Sequence, residues 1–292
     1  MNLIYSIFQT FSSREKALVV WIILLLLYIS QNKTLRGSVF GVLKMMFFTK
    51  LSIVFIGTII YTVVMSAFLR YLGLWNLFLV KDTVFWLIGT AFVLLYGIDK
   101  ATRDASHLMR ILLSIFALTF ILEYIVNLYT FNFWVEIILV PIFVLIGGML
   151  GIAGTKHEYK PVQNLLNYVL IVFGIFSIVY AISKITTNFQ DFATLYNLRT
   201  FLIEPVLTIG YIPFLYLFAL IMVYESLYVR INMFTKNNKD LGFYAKWEIF
   251  KLCHFNLAKI IKFSQGTGVE ISQISNKKDV SRIISSYKGE AN

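Results

Sequence analysis

Long, uninterrupted runs of apolar residues recur along the chain and are separated by short polar segments. Crossing the roughly 30 Å hydrocarbon core of a bilayer takes about 20 apolar residues as a helix, whereas a membrane β-strand shows only about 10 residues of alternating character. The long runs therefore predict an all-α membrane protein. Its seven predicted spans are residues 17–30, 51–69, 83–98, 110–128, 131–153, 165–182 and 205–224.

The first run is short for a span, because residues 17–30 reach only about 21 Å as a helix. Snorkelling of Arg14 and Lys16 lets such a run span the membrane, and the alternative is that it lies on the membrane and leaves six spans. The preceding segment, 1–16, is predicted to be extracytoplasmic or interfacial. Its apolar residues recur at the spacing of a short interfacial helix: Leu3, Ile4, Ile7, Phe8 and Phe11.

The segment after the last run, 225–292, has the pattern of a small helical domain. Apolar residues recur at helical spacing from Trp247 to Gly266, and a second amphipathic helix is predicted from Asn276 to Gly289, after an extended piece at 269–274. The chain is thus predicted to comprise an N-terminal segment, a membrane bundle at 17–224 and this tail. One face of the first tail helix is a candidate membrane-binding or partner-binding surface: Trp247, Phe250, Leu257 and Ile261.

Composition agrees with the membrane class and gives little support to catalysis. Hydrophobic residues make up 59% of the chain and charged residues 14%, far from the average of a soluble domain. Cys253 is the only cysteine, and the three histidines show no ligand spacing. Because phosphate-binding, dinucleotide-binding and nucleophile motifs are also lacking, we predict no catalytic residue, no metal site and no cofactor.

The distribution of Lys and Arg predicts the orientation. Alternate sides of the seven spans carry six and 20 of these residues, and the richer side includes the tail. By the positive-inside rule the C-terminus is cytoplasmic. The tail carries 11 basic and five acidic residues after Glu225, which favours anionic inner-leaflet lipid as its partner. A cytoplasmic protein on the apolar face is the other option, whereas no motif supports nucleic acid.

Two carboxylates stand in an otherwise uncharged region, residues 111–153, within the fourth and fifth predicted spans. Glu123 and Glu136 are equally distant from the point between Tyr129 and Thr130 in the short connection 129–132, so an antiparallel hairpin would hold them at the same depth. Asn127 lies one helical turn from Glu123. These three residues are a candidate ion or proton site, because intramembrane acids usually face a cavity or a partner. The alternative is that the acids only anchor the hairpin, wetted by interfacial water or paired with Arg70 or Arg199.

Small and hydroxylated residues mark two further positions. Thr58, Thr62 and Ser66 follow one face of the second span, either as packing residues or as a polar pore lining. Gly147 and Gly151 have the spacing that lets another backbone approach closely. That neighbour is either another span of this chain or a second copy in a homo-oligomer.

Three stretches resemble a group of bacterial polytopic inner-membrane proteins: LWNLFLVKDTVFW at 74–86, ILEYIVNLYTFNFWVEIILVP at 121–141, and FQDFATLYNLRTFLIEPVLT at 189–208 followed by IPFLYLFAL at 212–220. The resemblance implies a bacterial cytoplasmic membrane and no particular activity. Because the spans carry little polar surface and the tail is distinctive, we expect a channel or membrane-acting effector coupled to a cytoplasmic signal. The alternatives are a secondary transporter or proton-coupled permease using Glu123 and Glu136, and a membrane scaffold without transport.

Overall fold

The structure is a computed structural model that describes residues 11–48, 50–115, 118–235 and 238–290. In these ranges every long regular element is an α-helix, with 3₁₀ turns at Leu77–Leu79 and His157–Tyr159 and a π-helical turn at Leu87–Ala91. The helices are α1 Ser13–Gln31, α2 Lys33–Phe48, α3 Lys50–Tyr71, α4 Val80–Trp86, α5 Phe92–Tyr96, α6 Asp99–Arg103, α7 Ser106–Ile115, α8 Leu118–Leu128, α9 Phe133–Ala153, α10 Lys160–Thr187, α11 Phe189–Phe192, α12 Leu195–Phe234, α13 Lys239–Cys253, α14 Leu257–Gly266, α15 Gly268–Ile271 and α16 Lys277–Glu290.

Several helical segments are long and apolar enough to cross a membrane, so the all-α, multi-pass prediction is confirmed. The described residues contain five such segments, and they match the second, third, fifth, sixth and seventh predicted spans: Ser52–Tyr71, Leu77–Arg103, Phe133–Ala153, His157–Thr187 and Leu195–Phe234. Counting the bent pair α1 and α2 as one span gives six. The predicted total of seven is not confirmed.

The first and fourth predicted spans account for the difference. The apolar run at 17–30 lies wholly inside α1, which qualifies as a span only together with α2, and a 112° bend separates the two helices. Of the fourth predicted span, 110–128, the structure describes the parts that lie in α7 and α8, so this span is not tested as one helix. Residues 116 and 117 between them lie outside the described part of the chain.

The long helices leave most of their apolar surface uncovered within the protein. Only 11% to 39% of the most apolar window in each of the five segments is buried, which suits contact with lipid rather than water. Helix α12 is the longest of the described helices, with 40 residues. It continues past the predicted end of the seventh span at residue 224 to Phe234.

The chain divides into two compact units, Met1–Trp86 with Phe116–Pro205, and Leu87–Ile115 with Val206–Asn292. In the first unit α9 packs mainly against α1 and α10, and α10 also contacts α8. The indole Nε1 of Trp21 donates a 2.8 Å hydrogen bond to the carbonyl of Ile137, which fixes α1 beside α9. The short connection between α8 and α9 is present, but the principal neighbour of α9 is α1.

The tail helices of the second unit pack on one another, with α13 against both α14 and α16. The predicted continuous helix from Trp247 to Gly266 is wrong, because it breaks after Cys253 and restarts at Leu257. The extended piece predicted at 269–274 is also wrong in part, since Gly268–Ile271 is a helical turn. The second tail helix begins at the predicted cap, where Asn276 and Asp279 exchange backbone-to-side-chain hydrogen bonds of 3.1 Å.

Candidate functional site

The guanidinium group of Arg14 joins the starts of two helices in the first unit. Its Nε and Nη2 donate to the two carboxylate oxygens of Glu136 at 3.1 and 3.3 Å. The remaining nitrogen, Nη1, donates to Asn127 Oδ1 at 2.8 Å. The planar guanidinium group presents two parallel N–H donors to a carboxylate, which a lysine ammonium cannot do. Arg14 therefore connects α1 to the start of α9 and the end of α8.

Glu136 depends on this contact because it is almost entirely removed from solvent. The residue is 1% exposed, and its third donor is the backbone N–H of Phe131 at 3.0 Å. Its position in the first turn of α9 also places it at the positive end of the helix dipole. A buried carboxylate without such partners would carry a penalty of several kcal/mol.

Lys81 forms a second buried charge centre in the same unit. Its ammonium lies 3.0 Å from both carboxylate oxygens of Glu15 and 3.4 Å from Asp82 Oδ1. The Lys81 side chain is 8% exposed, and its Nζ lies 5.8 Å from the centre of the Phe11 ring. Glu15 also completes a capping box with Ser12 at the start of α1. One cation is thus shared between two acids from different helices.

The second oxygen of Asp82 is the unusual atom of this group. Asp82 Oδ2 is buried and has no hydrogen-bond partner among the described residues, although its Oδ1 faces Lys81. Buried polar atoms in native proteins nearly always have a partner, and a charged one that lacks it costs more than a neutral one. Asp82 therefore has an acceptor oxygen available for a donor that the described residues do not supply.

Both charge centres border one cavity of about 400 Å³, here called the polar cavity. Helices α1, α4, α8 and α12 contribute to its walls. Its charged and polar lining residues are Ser12, Arg14, Glu15, Lys81, Asp82, Tyr124, Asn127, Tyr196, Asn197, Thr200 and Glu204. Three of these residues are carboxylates and two are bases, so the lining favours a positively charged occupant.

An apolar groove of about 590 Å³ adjoins the polar cavity, and the two share Tyr124 and Asn197 as wall residues. The phenol of Tyr124 donates a 2.6 Å hydrogen bond to the carbonyl of Asn197, and its ring packs edge-on against Phe201 at 4.8 Å. The other walls of the groove are almost entirely apolar: Ile121, Ile125, Phe192, Ala193, Thr194, Leu195, Leu198 and Phe201. A polar and an apolar compartment therefore meet at one tyrosine.

The structure brings together two of the three residues of the predicted ion or proton site. Asn127 and Glu136 both bind Arg14, and for Glu136 the partner base is Arg14 rather than Arg70 or Arg199. Glu123 lies in α8, but its side chain is outside the described part of the protein. Glu136 must release Arg14 before it serves as a separate proton or cation site.

The hydroxyl stripe of the second span faces inward, and its two threonines bond to their own helix, whereas the buried Ser66 hydroxyl has no hydrogen-bond partner among the described residues. Thr58, Thr62 and Ser66 are 0%, 4% and 8% exposed. Thr58 Oγ1 donates to Val54 O at 3.0 Å and Thr62 Oγ1 to the carbonyl of Thr58 at 2.8 Å. Such back-bonding is common for hydroxyls inside helices and needs no pore. The pore-lining alternative stays a hypothesis.

The candidate binding face of the tail is divided between surface and core. Trp247 is 52% exposed and its ring stacks on that of Phe250 at 6.0 Å. Leu257 and Ile261 are 1% and 5% exposed and belong to the core of the tail. Of the four predicted residues, only Trp247 and Phe250 are therefore placed to contact a membrane or a partner.

Sequence analysis overlooked the charge centre at Lys81. Two local signals were available: Ser12 and Glu15 have capping-box spacing directly before an apolar run, and Lys81 adjoins Asp82 just before the third predicted span. The first signal places Glu15 in the first turn of a helix. Neither signal shows that the two segments, 66 residues apart, meet.

Comparisons of the chain with protein-family models, with curated proteins and with solved structures found no match.

Proposed function

We propose that this multi-pass membrane protein is a secondary transporter of a bacterial cytoplasmic membrane, with its C-terminus inside, and that its polar cavity binds an organic cation. One observation carries the proposal: a buried carboxylate oxygen of Asp82 has no hydrogen-bond partner among the described residues, in a cavity whose acids outnumber its bases. The transporter hypothesis from the sequence placed the site at Glu123 and Glu136. In the function proposed here, the ligand binds at Asp82 instead.

The charges around the polar cavity support a cation rather than an anion. Arg14 is engaged by Glu136 and Asn127, and Lys81 by Glu15 and Asp82, so both bases of the lining already have partners. An ammonium group would supply the donor that Asp82 Oδ2 lacks. An anion would meet three carboxylates at short range, which is unfavourable where water is scarce.

The adjoining apolar groove indicates that the cation has an apolar portion. A ligand with its charged group at Asp82 would extend past Tyr124 into the groove, where apolar contact contributes roughly 25 cal/mol per Å² buried. Ligand sites typically combine an apolar wall with a few polar groups that fix orientation. The two compartments provide this combination within one unit.

The shared cation favours a transporter over the other classes. When a ligand ammonium binds Asp82, Lys81 keeps both of its contacts to Glu15, so no buried charge is left unpaired by the exchange. A buried ion pair that can accept a second cation without losing its own contacts suits an element that alternates between two states. Among the described residues, no comparable contact supports a channel, a membrane-acting effector or a scaffold. These three functions stay hypotheses.

The test compares two ligands of the same length and opposite charge. Hexylammonium should bind the purified full-length chain saturably in calorimetry, and hexanoate should not. Asp82→Asn should weaken hexylammonium binding roughly tenfold, as expected for the loss of one charge-assisted hydrogen bond. Asp104→Asn, which removes an exposed carboxylate outside the polar cavity, is the matched control and should change the affinity less than twofold.

Uptake measurements separate transport from binding alone. Proteoliposomes containing the wild-type chain should accumulate hexylammonium faster than empty vesicles, and Asp82→Asn should abolish the difference. Equal binding of hexanoate, or an Asp82→Asn variant indistinguishable from wild type, would overturn the cation site. Normal binding without uptake would favour a scaffold or receptor instead.

A further inference from the structure

A second cavity, of about 710 Å³, lies in the tail between α14, α15 and the end of α16. Three lysines line it, Lys259, Lys262 and Lys288, together with one carboxylate among the described lining residues, Glu270. We call it the basic cavity. It belongs entirely to the second compact unit and shares no residue with the polar cavity.

The ammonium groups of the three lysines differ from the charged groups of most other bases of the tail, because they have no hydrogen-bond or ion-pair partner among the described side chains. Elsewhere in the tail, five of the described bases do have partners. Lys251 pairs with Glu248 and Arg282 with Asp279, Arg230 binds Ser264, Lys246 lies over the ring of Tyr228, and Lys277 lies over the ring of Tyr244. No carboxylate of the described residues lies within ion-pair distance of Lys259, Lys262 or Lys288.

The hydroxyl groups around the basic cavity already donate to the backbone. Thr267 Oγ1 donates to Phe263 O at 2.6 Å and Tyr287 Oη to the carbonyl of Lys259 at 3.1 Å. Burial raises the pKa of the Tyr287 phenol, so it stays protonated and keeps this bond at neutral pH. The side-chain donors left for a ligand are therefore the lysine ammonium groups and the amide of Asn256.

We infer that the basic cavity is a binding site for a phosphate-bearing anion. Three cations gathered around one cavity with a single acid repel one another, and an anion of two or more negative charges removes that cost. Lysine ammonium groups bind phosphate oxygens as point charges that need no fixed geometry. The volume exceeds that of orthophosphate alone, so the phosphate belongs to a larger molecule, either soluble or the headgroup of a lipid.

Calorimetry with inorganic pyrophosphate tests the site on the full-length chain in nonionic detergent. Lys259→Gln, Lys262→Gln and Lys288→Gln should each weaken binding roughly tenfold, because each removes one charge-assisted contact. Lys278→Gln removes the same charge from an exposed position outside the basic cavity and should have less than a twofold effect. Glu270→Gln removes the opposing carboxylate and should strengthen binding.

Thermal unfolding provides a second measurement that does not depend on heat of binding. Pyrophosphate should raise the melting temperature of the wild type and of Lys278→Gln, because a ligand of the folded state stabilises it. At the same pyrophosphate concentration it should raise that of Lys259→Gln by less, because the affinity is lower. The inference is wrong if pyrophosphate does not bind saturably, or if Lys278→Gln weakens binding as much as the three cavity variants.

Binding measurements in nanodiscs distinguish a lipid headgroup from a soluble phosphate compound as the natural ligand. With phosphatidylcholine alone, pyrophosphate should bind as in detergent. If the natural ligand is a lipid headgroup, adding phosphatidic acid to the disc should weaken pyrophosphate binding by competition, and Lys262→Gln should remove that competition. If the ligand is a soluble phosphate compound, the affinity should be the same in both kinds of disc.

Discussion

At the scale of single residues, Glu136 shows how a charged group is accommodated in a membrane protein. Three donors reach its carboxylate, two from Arg14 and one from the Phe131 backbone, and they leave 1% of the residue exposed. The arginine side chain is 25% exposed and has a second partner in Asn127. The pair is therefore asymmetric, since only the carboxylate has no route to solvent.

This asymmetry gives a prediction for the two single variants. Arg14→Gln should lower the free energy of unfolding by roughly 3 kcal/mol, because it leaves a buried carboxylate without its counter-charge. Glu136→Gln should cost less, about 1 kcal/mol, because Arg14 keeps Asn127 and can reach water. Denaturation of the purified chain in mixed micelles measures both values.

The double variant is the control for this prediction. Combining Arg14→Gln with Glu136→Gln removes both charges, so it should be more stable than Arg14→Gln alone. The contrary outcome is that the two single variants lose equal free energy of unfolding and that these losses add in the double variant. The pair would then contribute no buried electrostatic coupling.

At the scale of helices, the break between α13 and α14 is the clearest departure from the apolar pattern. His254 has φ 47° and ψ −133°, a backbone conformation that favours glycine. The carbonyls of His254 and Phe255 accept hydrogen bonds of 2.7 and 2.6 Å from the phenols of Tyr224 and Tyr216. Tyr216 also accepts from the backbone N–H of Leu257 at 3.0 Å. Tertiary contacts thus stabilise a turn that its own sequence does not favour.

Replacing the strained residue should therefore stabilise the protein. His254→Gly should raise the free energy of unfolding by about 1 kcal/mol, because glycine adopts this conformation without the Cβ penalty. His254→Ala removes the same ring but keeps a Cβ, and should show no gain. Scanning fluorimetry of the two variants makes the comparison. A glycine variant no more stable than the alanine variant would show that the turn is unstrained.

At the scale of the whole molecule, the number and direction of the spans are the main structural question. Five segments, or six with the bent pair, are long and apolar enough to cross a membrane. The excess of Lys and Arg on one side predicts that the C-terminus is cytoplasmic. On that prediction α12 begins outside and the tail is inside.

Single-cysteine labelling tests this orientation. The background is Cys253→Ser, although Cys253 is 1% exposed and burial raises its pKa to about 11, so little thiolate forms at neutral pH. In intact cells Thr194→Cys should react with a membrane-impermeant maleimide. Lys278→Cys should react only after permeabilisation. The reverse pattern would invert the topology.

The candidate site was only partly accessible to sequence analysis. Glu136 and Asn127 were recognisable because polar residues are rare in an apolar region. Lys81, Glu15 and Asp82 were not, because each lies at the polar edge of an apolar run, where charged residues are expected. Their significance comes from contacts between segments distant in the chain.

The sequence by itself determined the membrane class, the all-helical fold and the positions of five apolar segments, because the cost of burying backbone and charge in lipid acts on each segment independently. Only the tertiary structure decided which charges meet, that α1 bends sharply into α2, and that the tail helix breaks at His254. Those outcomes depend on pairwise contacts such as Arg14 with Glu136 and Tyr224 with His254. Local periodicity contains no information about such distant partners, and their interaction energies outweigh the weaker preferences of each segment.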